Sequence, residues 1–341
     1  MKQAHVSIIG KRVGSAWDLV GDTPLIFLPS ISRATGCKIF GKAEFLNPGG
    51  SVKDRAAKGI IQDAEKRGLL KPGGVIVEGT AGNTGIGLSV LGVARGYKVI
   101  IAMPDNQSPE KYELLEVLGA EIRKFKPVPF SNPENYYHQA RQIAETTPGA
   151  FWANQFENVA NGEFHYQTTG PEIWSQTEGT IDIFTCSVGS SGTLSGVSRF
   201  LKEKNPGVKV VVADPFGSGM YAHTKSGKIE TEGSSITEGI GIMRVTENFK
   251  QSCVDDAIRV SDQEMIDMVY HIAHEDGLFL GTSSGINMTA AYRLAQEHAG
   301  SEKTIVTILC DSGTRYSSRI ANRQWLESQN LVPRKLTMTI A

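Results

Sequence analysis

Between Gly74 and Cys310 the sequence alternates short β-branched runs with segments of helical apolar spacing, and several of the runs end at glycine-containing loops. "GVIVEG" (74–79) reads as a strand. The segment after it carries Ile86, Val90, Val93 and Ala94 at helical spacing and ends near Gly96. "KVIIAM" (98–103) reads as a buried strand, Pro109 opens a helix through Leu118, and "GAEIRKF" (119–125) turns into another strand. The second half repeats the pattern: "IDIFTCS" (181–187), a helix from Gly192, "VKVVVAD" (208–214), helices over 262–275 and 285–298, and "TIVTILC" (304–310). Strands joined through single helices need right-handed crossovers. The expected fold is therefore α/β, with mostly parallel twisted sheets flanked by helices. Sheets of this kind receive ligands at the carboxyl ends of their strands, which is where the glycine clusters fall.

At 341 residues the chain is long for a single core, and two domains are expected, 1–150 and 151–341, with a mobile part at about 80–150. A formal net charge of −1 gives no footprint for nucleic acid or an anionic membrane surface. The four cysteines, Cys37, Cys186, Cys253 and Cys310, have no C-x-x-C spacing. That argues against a zinc site or a disulfide framework and fits a reducing compartment, so a cytoplasmic location is expected. His271 and His274 lie three apart on a predicted helix without a third ligand in view, and no metal is expected. The opening "MKQAHVSIIGKRVGSAWDLVG" has neither a long apolar run nor a cleavage-like site, so no signal peptide is read there.

Three loops carry the chemistry. "EGTAGNTGIG" (78–87) follows a strand and opens a helix, and Thr80, Asn83 and Thr84 add hydroxyls and an amide to the free N–H groups of the helix start. That combination suits a carboxylate or phosphate. The glycine order is G-x-x-G-x-G, the reverse of a dinucleotide fingerprint. "SVGSSGTLSG" (187–196) is the stronger phosphate cradle, with Gly189 and Gly192 for close turns and Ser190, Ser191 and Thr193 as donors. It lacks the lysine of a nucleotide-hydrolysing loop. "CDSGTRYSS" (310–318) brings Asp311 or Ser312 to the end of the last strand, in a pattern that also serves as an ordinary turn and cap. Two anion cradles without a metal cluster point to a phosphorylated organic cofactor. Pyridoxal phosphate needs a phosphate site, a lysine, and a partner for its ring nitrogen. Lys53, in "FLNPGGSVKDRAAKGII" (45–61), is the lysine candidate, and Gly49 and Gly50 before it would let the backbone approach the cofactor.

These motifs, in this order from Leu19 to about Ser318, resemble the cysteine synthase and cystathionine β-synthase family of fold-type-II pyridoxal-phosphate enzymes. "GDTPLIFLPSIS" is similar to that family's opening, and "FLNPGGSVKDRAA" to its lysine motif. The resemblance implies that Lys53 forms the Schiff base and that Asn83 meets the cofactor's 3′-oxygen. It gives the phosphate to Gly189, Ser190, Ser191, Gly192 and Thr193. It sets Thr80, Ala81, Asn83, Thr84, Gln155 and Gly239 around the substrate. It places Ser283, within "GTSSG", among the lining residues. Ser312 is the residue it fits to the ring nitrogen, with Asp311 as the alternative. A homodimer is implied, with the cofactor between two domains of each subunit and the amino-terminal segment reaching the partner.

The chain departs from the family pattern at four places. Ala81 stands where synthases usually carry serine, and Gly-Ser-Ser-Gly-Thr replaces Gly-Thr-Gly-Gly-Thr in the phosphate loop. "CDSGTRYSS" replaces Pro-Ser-x-Gly-Glu-Arg-Tyr, and Glu238 in "TEGIG" resembles the β-synthase branch more than the sulfhydrylases. The first expectation is β-replacement: O-acetylserine, or a similar β-substituted alanine, loses its leaving group and takes up sulfide to give L-cysteine. Condensation of serine with homocysteine, sulfide-releasing cysteine desulfhydration, and a cofactor-binding regulatory protein remain as alternatives.

Overall fold

The structure, a computed structural model, describes residues 12–336; the first eleven residues, and with them the expectation of an amino-terminal contact to a partner subunit, lie outside the described residues. Among the described residues ten strands run in chain order: β1 (Leu25–Phe27), β2 (Lys38–Ala43), β3 (Val75–Gly79), β4 (Lys98–Pro104), β5 (Glu121–Phe125), β6 (Ala150–Trp152), β7 (Ile183–Ser187), β8 (Lys209–Pro215), β9 (Asp256–Val260) and β10 (Thr304–Leu309). They form two sheets. The larger has the order β1-β2-β10-β7-β8-β9, and the smaller β5-β4-β3-β6. Among the described strands only β1 pairs antiparallel, with β2; the other strand pairings are parallel. The alternation in the sequence thus becomes the α/β fold it implied.

The smaller sheet is made wholly from residues before 153, whereas β1 and β2 join the larger sheet beside β10. The described strands therefore start in the larger sheet with β1 and β2, cross to the smaller one, and return at β7. β10 is buried along its whole length, as a central strand covered on both faces must be. The Thr282–Glu297 helix covers it, and Asn287 in that helix ties two strand ends together. Its Nδ2 donates to Ile308 O at 2.7 Å, and its Oδ1 accepts from Ser187 N at 2.6 Å. One buried amide thus sets the distance between the carboxyl ends of β7 and β10.

The Lys53–Lys66 helix packs against the Asn83–Ala94 and Ala160–Gln167 helices. Ala56, Ala57, Ile60, Ile61 and Ala64 are buried at helical spacing, and its first and last turns carry Asp54 and Lys66, which match the helix dipole. Each buried isoleucine contributes about 1.5–3 kcal/mol of transfer free energy. Among the described residues no helix is long and apolar enough to cross a membrane.

Candidate active site

The carboxyl ends of β3, β7 and β10 open onto one cavity of about 700 Å³. Two lysines line it, Lys53 and Lys111. Lys111 is engaged: its Nζ lies 2.5 Å from Glu238 Oε2, and Arg319 reaches the other Glu238 oxygen at 2.6 Å. Burial lowers the Lys111 pKa, and Glu238 opposes that shift. This ion pair joins the Pro109–Val117 helix to the loop that carries Gly239 and closes one side of the cavity. For Lys53, among the described residues, no hydrogen bond or ion pair engages Nζ. Its backbone is fixed instead. Lys53 N donates to Ser51 Oγ at 3.2 Å, and Val52 N donates to Cys310 O at 2.9 Å. The start of the helix is therefore stitched to the segment following β10.

Gly49 and Gly50 serve another purpose than the one the sequence suggested. Neither lines the cavity. Gly49 N donates to Asp54 Oδ2 at 2.5 Å, and a Cβ on Gly49 would lie 2.6 Å from Asp54 Oδ1. Gly50 has φ +74°, and a Cβ there would meet the Arg315 guanidinium at 2.5 Å. The pair makes room for a buried acid and an arginine, and so shapes the turn leading into Lys53. Burial pushes the Asp54 carboxyl up to about 7.

The second glycine loop enters the Gly192–Lys204 helix. Gly189, Ser190, Ser191, Gly192 and Thr193 all line the cavity. A Cβ on Gly189 would sit 2.3 Å from Gly239 O, and one on Gly192 would sit 2.0 Å from Asn161 Oδ1. Ser191 takes the left-handed conformation at φ +70°. A glycine holds that geometry freely, and serine does so at a cost of roughly 1 kcal/mol. Its buried Oγ has no hydrogen-bond partner among the described residues. Asn161 Nδ2 donates to Ser190 Oγ at 2.9 Å, and Thr193 Oγ1 lies 3.2 Å from His165 Nε2. Burial pushes that imidazole down to about 3, so it supports the loop as a neutral group. The result is a nest of neutral donors at a helix start, strained at one residue and with one hydroxyl unspent, which suits an anionic oxygen.

Thr80, Ala81, Asn83, Thr84, Gln155 and Gly239 also line the cavity. Thr84 Oγ1 donates to Gln155 Oε1 at 2.6 Å. Asn83 Oδ1 accepts from Arg315 at 2.7 Å, and its Nδ2 donates to Asp311 Oδ2 at 2.6 Å.

The expectation for the third loop needs correction. Ser312 does not line the cavity; its Oγ accepts from Thr314 N at 3.2 Å and caps the following turn. Asp311 does not line it either. Asn83 and the Tyr316 hydroxyl, at 2.7 Å, turn its carboxylate away, and it packs so close to Gly281 that a Cβ there would lie 2.1 Å from Oδ1. The groups at this wall are Ser283, in the first turn of the Thr282–Glu297 helix, and the thiols of Cys186 and Cys310. Burial pushes the Cys310 thiol up to about 11 and Cys186 higher still, so both stay protonated and unreactive. Ser283 is the neutral hydroxyl the site offers there. Lys111 and Arg319 had no local signal in the sequence, because their partner Glu238 is remote in the chain.

A free lysine beside an anion nest, at the strand ends of a two-sheet α/β fold, defines a site for a phosphorylated carbonyl cofactor. Residues 16–311 match the family model described as "Pyridoxal-phosphate dependent enzyme", and the chain belongs to that family. It is 54% identical over 318 residues to "Cysteine synthase 1" of Neurospora crassa, covering 92% of this chain and 84% of that protein. It is 47% identical over 323 residues to "Cysteine synthase" of Dictyostelium discoideum, with coverages of 92% and 85%. Among solved structures, the O-acetylserine dependent cystathionine beta-synthase from Helicobacter pylori superposes with TM-score 0.82 at 30% identity, covering 91% of this chain and 98% of that one. The protein is thus a pyridoxal-phosphate enzyme of fold type II. The orphan Ser191 hydroxyl and the unpaired Lys53 fit the cofactor's phosphate and aldehyde.

Gly192→Ala is expected to weaken pyridoxal phosphate binding by at least about tenfold, because the new methyl group displaces Asn161 and, through it, Ser190. Titrating the purified variant with cofactor and following its visible absorption checks this.

Proposed function

We propose that the protein forms L-cysteine from O-acetylserine and sulfide by β-replacement. The observation that carries this reading is the 54% identity to a cysteine synthase over 92% of the chain, in a protein whose cavity holds an unpaired lysine. In this reading Lys53 joins the cofactor, the 189–193 loop holds its phosphate, Asn83 meets its 3′-oxygen, and Ser283 rather than Ser312 faces its ring nitrogen. When bound, the cofactor supplies an electron sink for charge developing at the substrate's α-carbon. A neutral hydroxyl at the ring nitrogen tempers that sink and favours loss of a β-substituent.

The protein's own residues do the rest. Thr80, Asn83, Thr84 and Gln155 offer donors to the substrate carboxylate, and Ala81 leaves a small gap beside them. The Lys53 amine moves the α-proton. The Lys111–Glu238–Arg319 cluster holds the Pro109–Val117 helix against the Gly239 loop and keeps water from the cavity. The working units of this reading are the two sheets with their helices, β1 and β2 counting with the 151–341 unit rather than with the rest of 1–150, and about 80–150 moving on substrate binding. A cytoplasmic homodimer is the setting the reading adopts, with small-molecule partners, the amino acid and sulfide, and neither nucleic acid nor membrane.

A turnover panel tests the proposal. O-acetylserine, serine and cysteine are each supplied with sulfide or homocysteine. Cysteine from O-acetylserine and sulfide is the expected main product. Cystathionine as the main product, sulfide release from cysteine alone, or no turnover by the loaded protein would each replace the proposal with a different one.

A further inference from the structure

A buried carboxylate lies behind the substrate loop. Glu78, near the carboxyl end of β3, is fully buried. Its Oε1 accepts from Gln155 Nε2 at 3.0 Å, and its Oε2 has no hydrogen-bond partner among the described residues. Among the described residues no lysine or arginine offsets it. The titratable groups that sense it are Tyr136 and Tyr137 on the neighbouring helix, both of which burial keeps protonated. Its β4 partner is Ile101, and the segment after β6 contributes only the backbone amides of Asn154 and Gln155. A carboxylate in such surroundings is costlier than the acid, and burial pushes Glu78 up to about 8.

That proton matters because of what Gln155 touches. Both Gln155 and Thr84 line the cavity, and the Thr84 hydroxyl donates to Gln155 Oε1. In this arrangement the hydroxyl proton is spent within the protein. An amide turned by half a revolution exchanges its oxygen and nitrogen with little change of shape. A Glu78 O–H can donate to the amide oxygen turned toward it. The two N–H donors of Gln155 then face Thr84 and the cavity, and the Thr84 proton is released to point inward.

We propose that Glu78 is a positioning residue: in its acid form it turns the Gln155 amide so that Gln155 Nε2 and Thr84 Oγ1 both donate to the carboxylate of an amino-acid substrate. The inference rests on the amino-acid chemistry proposed above. Its test is a titration of the cofactor-loaded protein, read by the cofactor's visible spectrum. The ligands are L-alanine, which lacks a leaving group, and L-alaninamide, which also lacks the carboxylate. Glu78→Ala is expected to weaken L-alanine by about tenfold, the loss of a hydrogen bond to a charged group, and to leave L-alaninamide unchanged. Glu78→Gln keeps a neutral donor and is expected to restore L-alanine binding. As pH rises through about 8, the parent protein should lose affinity for L-alanine relative to L-alaninamide, because Glu78 gives up its proton, and Glu78→Gln should not. Glu78→Gln as weak as Glu78→Ala, full L-alanine affinity in Glu78→Ala, or equal loss of both ligands would overturn the inference. No spectral response of the parent protein to either ligand would remove the amino-acid reading and this inference with it.

Discussion

Lys53→Ala is expected to lower kcat for β-replacement by at least about a thousandfold, within the range for loss of a positioned proton-transfer group. The fold should survive, because among the described residues no hydrogen bond or ion pair engages the Lys53 ammonium, while the helix itself is held by buried Ala56, Ala57, Ile60 and Ile61. The other lysine on the cavity wall cannot substitute: Lys111 is held by Glu238, and its burial leaves it little freedom to swing. The variant should still take up the cofactor through the 189–193 loop, yet without the visible band a pyridoxal group acquires when joined to a lysine. Far-ultraviolet circular dichroism, the visible spectrum and steady-state turnover, measured on one preparation, check all three statements. An unaltered spectrum would assign the lysine elsewhere.

Arg55→Met should destabilise the fold by about 3–5 kcal/mol, the range found when one member of a buried ion cluster is removed. Arg55 and Glu44 are both fully buried. The guanidinium binds Glu44 through Nε and one terminal nitrogen, each at 2.8 Å, and Glu172 through two contacts at 2.7 Å. Lys42 adds a second cation, 2.6 Å from Glu172. Removing Arg55 leaves two carboxylates facing one lysine. Arg55→Lys should also lose stability, because a single ammonium cannot replace the planar bidentate pairing. Chemical denaturation at neutral pH gives the size of both effects. The pH dependence follows from Glu172. Burial alone would raise its pKa, but Arg55 and Lys42 together hold it down to about 2, against 4.5 for the free carboxyl. A depressed carboxyl stabilises the fold above its unfolded value. The parent protein should therefore lose stability as pH falls from about 4.5 toward about 2, and Arg55→Met should show a shallower loss over that interval. The cluster also matters for function, because it ties the helix that begins at Lys53 to β2 of the larger sheet.

The architecture was legible because βα alternation is written locally. Strands such as 98–104 and 304–309 are short apolar runs bounded by turn residues, and each neighbouring helix has its own period. Lys53 and the two glycine loops stood out for the same reason: a strand end, a turn and a helix start are contiguous in sequence. What escaped was decided by distant partners. "GTSSG" and "CDSG" are both hydroxyl-bearing junctions, and nothing local says which one turns inward. Asn83 and Tyr316 settle it by drawing Asp311 aside, while the Thr282–Glu297 helix leaves Ser283 at the cavity. Gly49 and Gly50 read naturally as cofactor glycines, yet the atoms that would collide with a side chain there belong to Asp54 and Arg315. Lys111 and Glu238 are 127 residues apart, and Arg55 and Glu172 are 117 apart. Ion pairs of that reach leave no periodicity to read. The same holds for β2, whose neighbour β10 lies at the other end of the chain.

Replacement at the β-carbon can be tested by following isotopically labelled sulfide. The cofactor-loaded protein is incubated with O-acetylserine and labelled sulfide, and the products are analysed by mass spectrometry. Label is expected in L-cysteine in step with acetate release, with little pyruvate. Acetate and pyruvate appearing together while the label stays in the sulfide pool would contradict it, because the site would then eliminate without replacing.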